Sequence, residues 1–235
     1  CSSLGFQGAD QGWVQLDTGV PAAIDGLAEL TVEAWVYNEG PDTSIADSRY
    51  RSVVRIADSP GLPRGIMFRV GAASETDTNE NKLEVLFGTS SGGQVHLVGD
   101  EVPVNTWSHL AAVYDGGSLT LYQDGVETDS TALSGTITTD GGTDARIGAA
   151  YPGGIPDYFN GQVADVRISS SARYTADFSP TISWLNDSDT VGLWHLGEGT
   201  GTTISDSSDN GFDGTLTDTT WASDCPDAPT ACTTT

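Results

Sequence analysis

An all-β fold, two antiparallel sheets packed face to face, is what this sequence predicts, on three observations. Apolar and polar residues alternate with period two: Leu30, Val32, Ala34 and Val36 point one way, Thr31, Glu33, Trp35 and Tyr37 the other. Each such run is bounded by Gly, Pro, Asn, Asp or Ser. No stretch sustains a helical period; only Ser171–Phe178 reads as one short turn of helix.

The elements follow in order. After the strand around Val32 come YRSVVRIA from Tyr50, RGIMFRVG from Arg64, KLEVLFG from Lys82 and QVHLVG from Gln94. Polar loops cover 38–47 and 72–81. HLAAVYDGGSLTLYQDGVE, from His109, reads as strand, turn, strand, turn; Asp124-Gly125 is a hairpin signal because a tight primed turn needs positive φ. ARIGAA (145–150), GQVADVRIS (161–169), LWHLG (193–197), GTLT (214–217) and TTW (219–221) complete the set. Frequent short strands with regular turns make a sandwich, apolar inward and polar outward. There is no long linker and no internal repeat, so 1–224 is expected to be one domain and 225–235 a Cys- and Thr-containing tail.

Composition narrows the partners. The 235 residues carry 33 acidic and 9 basic side chains, a net charge of −24, with Lys82 the sole lysine. Nucleic acid and anionic membrane surfaces need clustered positive charge, so both are excluded as expected partners. No apolar run approaches the length that spans a bilayer. Cys1, Cys225 and Cys232 sit at the chain ends, without Cys/His spacing for zinc; they suit a staple in an oxidising compartment. Cys1-Ser2-Ser3 is also what a processed bacterial lipoprotein begins with, although Leu4 and Phe6 already read as core.

The motifs resemble a family. WSHLAAVYDGGSLTLYQDG (Trp107–Gly125), LTVEAWVY, ARIGAA, YFNGQVADVRIS and SLGFQGADQGWVQL together resemble the laminin-G-like, concanavalin A-like jelly-roll domains of secreted bacterial proteins. VGLWHLGEGTGTTISDSSDNGFDGTLTDTTW also matches, but that pattern opens such domains and here it closes the chain, as if the strand cycle were permuted. The resemblance implies an antiparallel jelly-roll β-sandwich and leaves function open, since the fold hosts many. It also implies that the closing strand returns to CSSLGF, which would pair Cys1 with Cys225, with Cys225–Cys232 as the alternative.

Catalysis is not expected. A glycosidase needs two carboxylates across a cleft. VADVRIS offers Asp165 alone and TVEAWV offers Glu33 alone, read as a surface strand residue. His96, His109 and His195 complete no triad, and GEGTGTT reads as turns.

Calcium is the expected cofactor, because it takes six to eight oxygens from carboxylates, amides and carbonyls. The resemblance singles out Asp10 and Asp165, with a carbonyl near Gly8; Ala164 stands where the family carries a further acid. ISDSSDNGFDG adds Asp206, Asn210 and Asp213, unless that run is an Asx-turn loop. Sugar binding would use aromatics in loops, and Tyr50, Tyr151, Tyr158 and Trp184 have that context. The expected function is therefore a non-catalytic extracellular binding or adhesion module recognising a glycan or protein surface. The alternatives are a subunit of a pilus-like surface filament or adhesin array, assembling with copies of itself, and a lectin-like appendage of a secreted hydrolase.

Overall fold

The computed structural model describes residues 2–7, 12–42, 50–57, 64–71, 80–91, 93–150 and 157–226. Two eight-stranded antiparallel sheets form a sandwich. With strands numbered along the chain, the first sheet runs β10 (Val126–Ala132), β9 (Ser118–Gln123), β8 (Trp107–Tyr114), β3 (Leu30–Asn38), β12 (Gly161–Ser169), β1 (Ser3–Phe6), β16 (Thr220–Ala222), and β13 (Thr190–Trp194) joins it on β12. The second runs β14 (Thr203–Ile204), β15 (Gly214–Thr217), β2 (Trp13–Leu16), β11 (Ala145–Ile147), β4 (Tyr50–Ile56), β5 (Ile66–Gly71), β6 (Lys82–Thr89), β7 (Gly93–Glu101).

Alternation decides the core as expected. Leu30, Val32, Ala34 and Val36 are fully buried between the sheets, against Val54, Phe68, Val85 and Ile147 of the second sheet. The Asp124-Gly125 turn has φ of 51° and 81°, the positive pair that a primed turn needs. Among the described residues there is one α-helix, α1 (Gly19–Ile24), which the sequence does not signal. Six residues are too few to show a period, yet Val20 and Ile24, one turn apart, are both buried. Ser171–Phe178, expected as a helical turn, is extended and irregular instead.

That segment has another task. Residues 170–189 lie across the outer face of the first sheet. Thr31 Oγ1 donates to Ser171 O at 2.8 Å, Trp35 Nε1 to Thr181 O at 2.9 Å and Phe178 N to Gly125 O at 2.8 Å. Tyr174 stacks on Phe178 with ring centroids 3.5 Å apart, and Arg173 holds both oxygens of Asp187. Beneath this strap lies Glu33, which is wholly buried and not a surface residue. It accepts from Arg167 Nε at 2.8 Å, His109 Nε2 at 3.0 Å and Tyr174 OH at 2.8 Å. Burial opposes its ionisation, but the His109 hydrogen bond and charge, Arg167 and Tyr174 hold its pKa below the usual range.

The chain ends meet in the first sheet. β16 pairs with β1, Ser3 facing Ala222 and Leu4 facing Trp221, so the closing strand does return to the opening one. Cys225 is disulfide-bonded; Cys1 and Cys232 lie outside the described residues. With Ser3 opposite Ala222, Cys1 is the expected partner. Mass spectrometry of peptides from unreduced protein should return a Cys1–Cys225 pair, and a Cys225–Cys232 pair would reject it.

Candidate functional site

The strap covers part of the first sheet's outer face, where Tyr37, Trp107 and Gln162 stay partly exposed; the second sheet's outer face carries a connected polar array. Val14, Leu16, Ala145, Ile147, Val54, Ile56, Phe68, Val85 and Phe87 point inward, which turns Trp13, Gln15, Arg146, Arg55, Met67, Arg69, Glu84, Leu86 and His96 outward. Register sets them in rows. Gln15 faces Arg146, Arg146 faces Arg55, Arg55 faces Met67, Met67 faces Leu86 and Leu86 faces His96. In the next row Arg69 faces Glu84. Trp13, half-buried, stands on the same side as Gln15, two residues along the strand.

A polar ladder joins the rows. Arg146 Nε donates to Gln15 Oε1 at 3.0 Å, and Gln15 Nε2 donates to Ala145 O at 3.1 Å. Asp144 lies between two guanidinium groups, bonded to Arg55 and, at 2.9 Å, to Arg146 Nη2. Glu84 Oε2 takes Arg69 Nε at 2.9 Å, Arg69 Nη2 at 2.8 Å and His96 Nε2 at 3.1 Å. Arg55 and Arg69 are buried, whereas Arg146, Asp144 and His96 remain accessible, so the layer has a fixed floor and an accessible rim.

The electrostatics of this face are unequal. Burial would raise the Glu84 pKa, but His96 and Arg69 bring it below the usual range. Burial pushes Asp157 up to about 6, with Arg69 and Arg55 only partly opposing it. Its Oδ1 and the Oε1 of Glu84 are buried and accept no hydrogen bond from the described residues.

The Asp157 shift has a consequence for stability. A carboxyl whose pKa is raised on folding binds its proton more tightly in the native state, so stability falls as pH rises from about 4 to about 6. Above that window the charged group costs roughly 3 kcal/mol. Asp157→Asn should therefore raise the urea midpoint at pH 7.5 and leave it nearly unchanged at pH 4. An equal effect at both pH values would contradict the burial argument.

The residues expected from the sequence fall elsewhere. Trp184 and Tyr158 are each 4 % exposed, so neither presents a ring for stacking. Trp184 belongs to the strap and packs inward against Trp35, Ala164 and Leu193, with Arg167 5.0 Å from its ring centroid. Tyr158 bridges to Ser52 and Ala149 at the border of the second face. The Tyr50 side chain, and Tyr151 as a whole, lie outside the described residues.

Gly8 and Asp10 lie outside them too, so only four of the expected calcium ligands can be placed. These do not gather. Asp206 closes an Asx-turn loop: Oδ1 accepts from Leu193 N and Ser208 N, and Oδ2 from Ser208 Oγ and Phe212 N. Asp213 Oδ1 accepts from Asp206 N, and Asn210 Nδ2 donates to Val191 O. Asp165 instead meets His195 Nδ1 at 3.1 Å, which raises the His195 pKa. Among the described residues no three His, Cys, Asp or Glu side chains form a metal-holding group.

Trp13, Gln15 and Arg146 are not among the residues expected from the sequence. The signal was present, since WVQL alternates, but nothing local says that its outer face stays uncovered.

Comparison with known proteins agrees with the geometry. A family model, Laminin_G_3, described as Concanavalin A-like lectin/glucanases superfamily, matches residues 8–178. No curated protein matches the sequence. Among solved structures, a candidate carbohydrate binding protein from Bacteroides ovatus is similar with a TM-score of 0.64 at 19% identity, over 98% of this chain and 61% of that one. This chain thus spans less than two thirds of that protein. A SAP-like pentraxin from Limulus polyphemus follows with a TM-score of 0.50 at 14% identity, over 74% and 77% of the two chains. The carbohydrate-binding CBM40 of a Ruminococcus gnavus IT-sialidase, bound to α2,3-sialyllactose, gives 0.52 at 12% identity, over 68% and 86%. At these identities the likeness is one of fold.

Proposed function

We propose that this chain, which belongs to the concanavalin A-like lectin/glucanase superfamily, is an extracellular, non-catalytic glycan-binding module whose ligand lies on the outer face of the second sheet. One observation carries the reading: a partly exposed indole, Trp13, on the same side of β2 as the hydrogen-bonded Gln15–Arg146–Asp144 ladder. Sugars present an apolar face that stacks on aromatic rings and a rim of hydroxyls that pairs with planar polar groups. The structural neighbours that carry carbohydrate-binding names support the same reading. Among the described residues no helix is long and apolar enough to cross a membrane.

Hydrolysis would require one carboxyl free to donate a proton and a second placed across the sugar. Asp144 and Glu84 are committed to arginines, Glu33 is sealed beneath the strap, and Asp157, whose pKa burial raises, is 4% exposed and itself out of reach of a ligand. The face is built to hold and not to cleave.

A glycan array tests this. Wild-type protein should bind at least one oligosaccharide class, and Trp13→Ala should lose at least about tenfold in affinity, ~1.4 kcal/mol, with its circular dichroism unchanged. No binding across a broad array, or full binding by Trp13→Ala, would contradict the reading.

A further inference from the structure

We infer that the outer face of the second sheet selects neutral, hydroxyl-rich sugars and excludes carboxylated ones. This rests on the glycan-binding reading above and adds the chemical class of the ligand.

Arginine on a sugar-binding face suggests an anionic ligand at first sight, because the guanidinium fork pairs with carboxylate. Here the forks are already taken. Asp144 pairs with both Arg55 and Arg146, and Glu84 holds Arg69 through two nitrogens on one oxygen. Asp157 adds a third carboxyl within reach of the Arg55 and Arg69 charges. Three guanidinium groups are thus set against three carboxyls in the same layer, and the face offers no net positive charge at neutral pH.

The orphan atoms point the same way. Glu84 Oε1 and Asp157 Oδ1 are buried, accept no hydrogen bond from the described residues and belong to residues that are 0% and 4% exposed. Such oxygens put unpaired acceptor charge in the layer beneath the face, out of direct reach of a ligand. A sugar hydroxyl is a donor; a sugar carboxylate at neutral pH is an acceptor only. Bringing one over this desolvated layer sets like charge on like charge. The whole chain adds to this, because a net charge of −24 repels an anionic polymer at long range.

The test uses matched pairs differing only in the carboxyl group: homogalacturonan with free acids against its methyl ester, and sialyllactose against lactose. Wild-type protein at pH 7.5 should bind the neutral member of at least one pair at least about tenfold more tightly. That binding should change little as salt rises from about 0.05 to about 0.5 M, since no ion pair with the ligand is screened. The double variant Glu84→Gln, Asp157→Asn, which removes two carboxylates and leaves the arginines, should narrow the gap by strengthening the acidic member. Tighter binding of the acidic member by wild type would overturn the selectivity and leave the glycan reading standing. Failure to bind these pairs or any glycan of a broad array would overturn both.

Discussion

Glu33→Ala is expected to lower the melting temperature by roughly 10 °C. The substitution leaves Arg167, His109 and the Tyr174 hydroxyl facing a vacated, water-poor position. Removing one partner of a buried charge network costs about 3–5 kcal/mol, because the remaining charge stays uncompensated. For a domain of this size each kcal/mol shifts the midpoint by about 2–4 °C. The sign with pH follows from the lowered Glu33 pKa. Its stabilisation is present above the pKa of the unfolded chain and is lost as pH falls through the folded value, so wild type and variant should converge only in strong acid. Glu33→Gln keeps the volume and part of the hydrogen bonding, and should cost less than Glu33→Ala. Thermal denaturation followed by near-ultraviolet circular dichroism measures all three, and a shift under about 3 °C for the alanine variant would show that the network is not holding the strap.

Gly161→Ala should be at least as damaging. Gly161 opens β12, faces Asn38 across the ladder and has φ of +142°, a conformation closed to residues with a side chain. A Cβ there would lie 1.9 Å from the carbonyl oxygen of Tyr37, a backbone atom in the middle of the first sheet. Relief requires moving β3 or β12, the pair at the centre of that sheet, so the expected cost is about 3 kcal/mol or more. Equilibrium unfolding in guanidinium gives the number, and a variant within about 1 kcal/mol of wild type would show that this strand end can shift freely.

Local pattern carried much of the fold and little of the site. β3 was legible because a half-buried strand writes its burial into every second residue, and the Asp124-Gly125 turn because positive φ restricts which residues fit. Alternation also said that Glu33 and Trp35 share a face. It could not say that 170–189 would cover that face, since the strap has no regular period and is held by contacts to residues as distant as Thr31, Trp35 and Gly125. The same gap misplaced Trp184, which looked like a loop aromatic and is a buried packing residue. It hid Trp13, Gln15 and Arg146 for the opposite reason: β2 and β11 look like any other strands, and only the assembled fold leaves their outer side accessible. The acid-rich ISDSSDNGFDG run is readable as either a metal loop or an Asx-turn, and the bonds Asp206 accepts are those of an Asx-turn.

The claim that the ligand lies on the second sheet is tested most directly by hydrogen–deuterium exchange, with and without a saturating concentration of the oligosaccharide that binds best on the array. Slowed exchange in β2, β11 and β4–β6, with β3, β8 and residues 170–189 unchanged, is the predicted result. Protection confined to the strap and the first sheet would contradict it.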